Sequence, residues 1–283
     1  MLENMNRLLK EATEQGYAIP APGVNDFQTL EAVFQACSEL KAPLIIDCVP
    51  RNDIEAVADM TKFLAKRYPH VPAALNLDHG TTFDVCATAI QVGFTSVMID
   101  CSKESFEENV RVTAEVVKMA HAVGVSVEAE LGYLGTASEM TADFRDSFTK
   151  PAEAKEFVER TSVDCLAVAV GTAHGFYQGD APQIDLERIA ELKRTLPVPL
   201  VLHGGSSAGD EQLANAVQAG IAKINLFSDL SSAGTNAVKE FLNKDKKTVL
   251  GFMPLSMAYG VGIQAYKEMF MHYIKVFGCN DRV

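Results

Sequence analysis

Short apolar segments alternate with amphipathic segments along the whole chain, and this alternation most constrains the fold. Eight segments have the length and composition of strands, and nearly all are followed by a helical pattern. The predicted strands are 17–21, 43–48, 73–77, 95–99, 125–130, 165–170, 199–202 and 222–226. Almost uniformly apolar strands that alternate with helices indicate a parallel sheet covered by helices.

Eight such units in a chain of 283 residues favour an α/β fold of the closed (β/α)8 type, the TIM barrel. The alternative is an open, doubly wound sheet, but no Gly-x-Gly-x-x-Gly follows the first strand. We expect a single barrel domain over residues 1–283, with a short N-terminal helix and additional C-terminal helices, because no low-complexity linker divides the chain.

Polar side chains collect where the predicted strands end. Asp78 and His79 follow the third strand, His174 the sixth and His203 the seventh. Because the carboxyl ends of barrel strands form one rim, three neutral imidazoles would meet there as an open metal site. A lone histidine at a strand end is more often structural, but each of these three is followed by glycine, which favours the metal site. The other rim candidates are Asn25, Asp100, Glu130 and Asn225.

Two loops have the composition of a phosphate-binding site. Residues 203–207 read His-Gly-Gly-Ser-Ser before a helix, and residues 225–228 lead into another helix. Glycine amides and helix N-termini bind anions, and the loops after strands seven and eight are the usual phosphate site of this barrel. Either loop alone would be an ordinary turn with a serine cap, but together they predict a phosphorylated ligand.

Composition limits the partners and the compartment. A net charge of -12, with acids and bases interleaved, argues against nucleic acid or an anionic membrane as the main partner. The N-terminal segment lacks a signal-peptide core, and no run approaches the roughly 18 apolar residues of a membrane span. The six cysteines are scattered without a Cys-x-x-Cys motif, so we expect reduced thiols in a cytoplasmic protein.

These motifs, in this order, resemble the metal-dependent class II ketose-bisphosphate aldolases, especially the tagatose-bisphosphate and fructose-bisphosphate branches. The likeness runs from about residue 15 to the C-terminus. The segments that carry it are LDHG (77–80), MID (98–100), SVEAELG (126–132), LAVAVGTAHGFY (166–177), PLVLHGGSS (199–207) and KIN (223–225).

The resemblance implies a zinc aldolase that reversibly cleaves a phosphorylated ketose, a 1,6-bisphosphate or a 1-phosphate, to dihydroxyacetone phosphate and an aldehyde. Asp78 matches the acid that exchanges a proton with the C4 hydroxyl. The positions that match metal ligands are His79, His174 and His203, with Glu130 and Asp100 near a second metal location. The positions that match the triose phosphate site are Gly175, Gly204, Gly205, Ser206, Asn225, Leu226, Phe227 and Ser228. The resemblance also implies one catalytic Zn2+ and a homodimer or homotetramer. It leaves open whether a monovalent cation binds as well.

The loop after the fifth strand departs from the family pattern. The family places its catalytic base, a glutamate, where this chain has Ser138, and the acid falls one residue later. Glu139 is therefore the candidate base, provided that the loop shifts.

The aldehyde half of the site departs as well. Gly23 replaces an asparagine of the family, Val49 replaces a small hydroxyl residue, and Phe227 stands where a small or acidic residue is usual. Arg51 lies close by and is a candidate ligand for a different anion. The sequence therefore leaves the acceptor aldehyde open, and it need not be glyceraldehyde 3-phosphate.

Three alternatives remain at this point. The chain could be a sugar-phosphate-binding paralogue that has lost turnover, or another metal-dependent barrel enzyme such as an isomerase. Lys223, in the last strand, could form a Schiff base. However, it lies early in its strand, and a Schiff-base mechanism would leave the three histidines unexplained.

The sequence leaves the role of Glu128 open. A buried structural salt bridge is one possibility, because burying a carboxylate needs compensation.

Overall fold

A computed structural model of the chain describes residues 2–132, 147–173, 175, 183–244 and 255–283. The strands are β1 (Ile19–Pro22), β2 (Leu44–Cys48), β3 (Ala73–Gly80), β4 (Ser96–Ile99), β5 (Ser126–Leu131), β6 (Cys165–Val168), β7 (Leu200–Leu202) and β8 (Ile221–Leu226). The helices are α1 (Met5–Gln15), α2 (Phe27–Leu40), α3 (Ile54–Arg67), α4 (Phe83–Val92), α5 (Phe106–His121), α6 (Pro151–Thr161), α7 (Leu186–Thr195), α8 (Asp210–Ala219), α9 (Ser228–Lys244) and α10 (Leu255–Val276).

All eight strands are parallel and form one sheet in the order β1-β8-β7-β6-β5-β4-β3-β2. A bridge between Gly23 and Asp47 joins the two edge strands, and the amide of Val24 donates to the carbonyl of Asp47 at 3.0 Å. The sheet thus closes on itself, which confirms the predicted barrel.

Burial on both faces explains the uniformly apolar strands. Strands β1, β2, β4, β5, β6 and β7 are buried at every residue, because the barrel interior covers one face and the helices cover the other. The six cysteines are buried free thiols. No described helix is long and apolar enough to cross a membrane.

Side-chain caps fix where several helices begin. Thr82 accepts from the amide of Val85 at the start of α4, and Ser105 accepts from Glu108 at the start of α5. Asn52 and Asp53 both have side chains that can cap α3. Asp53 is the cap, since its Oδ1 accepts from the Ala56 amide at 3.0 Å, whereas Asn52 Nδ2 donates to the Val24 carbonyl at 3.3 Å.

Candidate active site

The end of β3 places two consecutive polar residues on the same rim. Neighbouring residues of a regular strand point to opposite faces, yet Asp78 and His79 both line the central cavity. The β3–β4 register shifts between Leu77 and Gly80, and His79 has a left-handed backbone with φ 53. Its amide donates to the Met98 sulfur at 3.4 Å. This irregularity turns both side chains into the cavity.

A hydrogen bond from His79 to Asp100 fixes the tautomer of the His79 ring. Asp100 Oδ2 lies 2.8 Å from His79 Nδ1, and Asp100 Oδ1 accepts from the amide and the hydroxyl of Ser102. The proton of Nδ1 therefore belongs to this hydrogen bond, and Nε2 points towards His203.

Glu128 fixes the tautomer of His203 in the same way. Its Oε1 lies 2.8 Å from His203 Nε2, which carries the proton, so that Nδ1 faces His79 Nε2 at 3.1 Å. If both rings are neutral, these facing nitrogens each present a lone pair. A cation, either a proton or a metal ion, is therefore needed between them, and this donor set suits zinc.

The surrounding carboxylates favour a positive charge at this position. Burial lowers the pKa of His79, but the charges of Asp78 and Glu130 and the contact with Asp100 raise it to about 10. Burial lowers the pKa of His203, which stays neutral. In the absence of a metal, the extra proton therefore resides on His79 and bridges the two rings.

Two groups of potential ligand atoms surround this point. Asp78, His79 and His203 offer atoms within 4.8 Å of one another, and so do His79, Asp100 and Glu130. Glu130 Oε2 is buried without a hydrogen-bond partner among the described residues and lies 3.8 Å from His203 Nδ1. Burial and the charge of Asp100 raise the pKa of Glu130 to about 8. The residues present thus fit a divalent cation.

A buried ionic network supports His203 from below. Lys223 Nζ lies 2.9 Å from Glu128 and 3.2 Å from Asp47, and Asn76 donates to Asp47 at 2.9 Å. Burial lowers the pKa of Lys223, but Asp47 and Glu128 raise it more, so that the amine remains protonated. A Schiff-base nucleophile must be neutral, so this network argues against that role for Lys223. Burial raises the pKa of Glu128, but Lys223 and His203 lower it to about 2.

Asp78 is held beside the histidines by Asn225. The amide nitrogen of Asn225 donates to Asp78 Oδ1 at 3.1 Å, and Asp78 Oδ1 lies 3.8 Å from His79 Nε2. An acid in this place can exchange a proton with a substrate atom next to the metal.

Hydrogen bonds tie the two predicted phosphate loops together. Ser206 Oγ accepts from the amides of Phe227 and Asp229 at 3.2 and 3.4 Å. Asp229 in turn accepts from the amide and hydroxyl of Ser207 at 2.6 and 2.8 Å, and from the hydroxyl of Tyr273. The loops therefore form one unit at the N-terminus of α9, where backbone dipoles favour an anion.

One cavity of about 690 Å³ brings most of the predicted site residues together. The predicted residues that line it are Asn25, Asp78, His79, Asp100, Glu130, Gly175, Gly204, Ser206, Asn225, Leu226, Phe227 and Ser228. His203 is fully buried below it, and Gly205 packs on Ile224, where any Cβ would clash. His174 and Glu139 lie outside the described residues.

Sequence reasoning missed several supporting residues. Asp47 was not a candidate, although it pairs with Lys223. Asp229 and Tyr273, which hold the Ser207 loop, were also missed. An acid in the middle of the apolar segment 43–48 was the available signal for Asp47, whereas nothing local points to Tyr273.

The chain is similar to known proteins along nearly its whole length. The profile of the family "Fructose-bisphosphate aldolase class-II" matches residues 3–282. A fructose-bisphosphate aldolase of Helicobacter pylori is 41% identical over 311 aligned positions, covering 100% of both chains. One from Geobacillus stearothermophilus is 37% identical and covers 99% of this chain and 98% of its own.

Two solved aldolase structures superpose on the chain over nearly its whole length. The YdjI aldolase of Escherichia coli superposes with a TM-score of 0.87 at 34% identity, covering 100% of this chain and 99% of that chain. A fructose-bisphosphate aldolase of Campylobacter jejuni, at 23% identity and a TM-score of 0.80, shares the fold and covers 99% of this chain and 95% of its own. With a family match along nearly the whole sequence, the chain belongs to the class II fructose-bisphosphate aldolase family.

Proposed function

We propose that this class II aldolase binds one zinc ion between His79 and His203, with His174 as the third ligand. Its reaction is the reversible cleavage of a phosphorylated ketose to dihydroxyacetone phosphate and an aldehyde. The observation that carries the proposal is the pair of ring nitrogens 3.1 Å apart. Hydrogen bonds to Asp100 and Glu128 leave both nitrogens free of their own protons when the rings are neutral.

Zinc bound at this point would polarise the C2 carbonyl of the ketose and so stabilise the enediolate that remains when the C3–C4 bond breaks. Asp78 takes the proton of the C4 hydroxyl as that carbon becomes the aldehyde, and returns it in the reverse direction. Asn225 orients Asp78 by donating to its Oδ1 at 3.1 Å. A second group returns a proton to C3, and Glu139 is the candidate for this role.

The phosphate of the triose half binds in the unit formed by the loops after β7 and β8. The left-handed backbone of Gly204 and its contact with the Ala173 carbonyl require glycine, which brings backbone amides to the cavity surface. Ser206 and Ser228 line the cavity beside the N-terminus of α9. These groups supply neutral donors and a positive dipole end to the phosphate.

The assembly and location are part of the same proposal. A homodimer or homotetramer is proposed from the family resemblance, with a small sugar phosphate as the partner and neither nucleic acid nor a membrane. The six buried free thiols suit a reducing compartment, which supports a cytoplasmic location.

Cleavage of fructose 1,6-bisphosphate, tagatose 1,6-bisphosphate and ketose 1-phosphates tests the function directly. Zinc-loaded protein should release dihydroxyacetone phosphate from at least one ketose, and chelation should abolish the release. Zinc binding with no cleavage of any ketose would favour a sugar-phosphate-binding paralogue. Conversion of a sugar phosphate without carbon–carbon cleavage would favour an isomerase.

A further inference from the structure

The central cavity has two halves of different character. Near the metal position its wall is polar and acidic, with Asp78, Asp100 and Glu130. Towards the ends of β1 and β2 the wall carries apolar side chains and one exposed cation beside the polar Asn25, Asp47 and Asn52. The apolar and cationic part of this second half is formed by Gly23, Val24, Val49, Pro50, Arg51 and Phe227. In the proposed function the metal lies in the first half and the triose phosphate binds the backbone of the loops after β7 and β8, so the side chains of the second half are left for the aldehyde.

Phe227 presents an aromatic surface to this second half. Its side chain is 50% exposed and lines the cavity, so the ring is accessible to a ligand. Its amide is held by Ser206 Oγ at 3.2 Å, so the backbone that carries the ring is fixed.

Gly23 makes room for the ring. A Cβ atom on Gly23 would lie 3.0 Å from Phe227 Cδ2, closer than ordinary van der Waals contact, so the ring would have to move. The φ of Gly23 is not in the left-handed region, so the backbone does not require glycine here. The ring of Phe227 therefore occupies space that a side chain at position 23 would need.

Arg51 gives this half a positive charge. It follows β2, is exposed and lines the same cavity. No carboxylate of the described residues forms an ion pair with it. A guanidinium in this situation remains available for a planar, bidentate contact with a phosphate or carboxylate of a ligand.

We propose that Phe227, supported by Gly23, and Arg51 select the aldehyde: its carbon chain packs on the ring, and its far end carries an anionic group. The predicted aldehyde has an apolar segment and carries one anionic group, which is either a phosphate or a carboxylate. These side chains take no part in bond making or breaking. The proposal rests on the proposed aldolase function.

The test of Arg51 is condensation of dihydroxyacetone phosphate with three aldehydes: butanal, succinic semialdehyde and glyceraldehyde 3-phosphate. Arg51→Gln should raise the KM of at least one anionic aldehyde by about tenfold, the loss of roughly one charged contact, and that of butanal by less than about twofold. The anionic aldehyde with the higher wild-type kcat/KM shows whether the site prefers a carboxylate or a phosphate. Arg194→Gln, on the last turn of α7, is the matched control and should leave every KM unchanged. Equal effects on butanal and on the anions, or no effect at all, would overturn the role of Arg51.

A double-mutant cycle tests the pairing of Phe227 with Gly23. Phe227→Ala should raise the KM of all three aldehydes by about tenfold, because each loses its contact with the ring. Gly23→Ala should raise the KM in the wild-type background by displacing the ring, but should have no further effect once Phe227 is alanine. Additive effects, or a Phe227→Ala variant with wild-type KM values, would overturn the proposal.

Exchange of the C3 proton of dihydroxyacetone phosphate by the wild-type protein separates this inference from the proposed function, because exchange needs no aldehyde. If the wild type exchanges the proton while the Arg51 and Phe227 variants keep wild-type aldehyde KM values, only the acceptor proposal fails. If the zinc-loaded wild type shows no exchange, both proposals fail together.

Discussion

Glu128 accepts a hydrogen bond from Nε2 of the fully buried His203 at 2.8 Å, and this contact decides which nitrogen of His203 faces His79. The other oxygen of Glu128 contacts Lys223 at 2.9 Å, which keeps the carboxylate ionised inside the barrel. A buried ion pair of this kind contributes little net stability compared with apolar packing. In the proposed function its role is to orient His203 as a metal ligand.

Glu128→Gln should therefore weaken zinc binding. The amide can present its NH2 group to His203, so that the tautomer is no longer fixed, and the loss of such a partner typically costs 10- to 100-fold in metal affinity. Competition with a chromophoric chelator measures the Kd. Glu159→Gln on the exposed surface of α6 is the control and should bind zinc like the wild type. A wild-type Kd in the folded Glu128→Gln variant would contradict the role of Glu128.

Asp78→Asn should separate the two halves of the reaction. The amide cannot take the proton of the C4 hydroxyl, so ketose cleavage should fall by about 10²- to 10⁴-fold. Exchange at C3 of dihydroxyacetone phosphate does not involve that hydroxyl and should fall far less. Glu139→Gln should show the opposite pattern, in which exchange at C3 falls more than ketose cleavage. Parallel losses of exchange and cleavage in the Asp78 variant would rule out this division of roles.

Zinc should displace a proton from His79. Burial lowers the pKa of this ring, but neighbouring carboxylates raise it to about 10, so the metal-free site holds the extra proton at neutral pH. A raised pKa means that protons compete with zinc throughout the neutral range, so the affinity should increase as the pH rises towards that pKa. Calorimetry in buffers of different ionisation enthalpy should show about one proton released per zinc ion near pH 7.5. Release close to zero would show that His79 is already neutral.

Asp229→Asn should loosen the phosphate-binding unit without affecting the metal. Asp229 accepts from the amide of Ser207 with one carboxylate oxygen and from the hydroxyl of Ser207 with the other, whereas asparagine has a single oxygen and can keep only one of the two bonds. The KM of the phosphorylated ketose should rise by about tenfold, the loss of roughly one good hydrogen bond, while the zinc Kd stays unchanged. Tyr273→Phe removes only the bond to Asp229 and should have a smaller effect in the same direction. An unchanged KM in Asp229→Asn would show that the loop holds its shape by other contacts.

The sequence predicts the barrel well because local patterns determine its elements. Helix α4 (Phe83–Val92) has clear local signals at both ends, since Thr82 caps its start and Gly93 ends it with a left-handed backbone. The predicted strand 73–77 instead continues to Gly80, because Gly80 pairs with Ile99 beyond the register shift. Pairing between strands is not encoded in the local pattern, and the left-handed backbone of a histidine is not expected from its residue type.

Contacts within the candidate site were harder to predict for the same reason. The sequence places His79 and His203 at one rim, and the structure brings their rings to 3.1 Å. The partners that orient them, Asp100 and Glu128, lie 21 and 75 residues away along the chain. Only the packing of separate strands shows which carboxylate meets which imidazole. The role of Glu128, which the sequence left open, follows from this packing.

The proposed function requires that the facing nitrogens of His79 and His203 hold a zinc ion that activates the triose half of the substrate. The most direct measurement is exchange of the C3 proton of dihydroxyacetone phosphate in deuterated water, with protein as purified, after chelation and after zinc is restored. Exchange that disappears with the chelator and returns with zinc is the predicted result, and it needs no knowledge of the aldehyde. Zinc binding without any exchange would contradict the account, and the protein would then be a metal-containing sugar-phosphate binder.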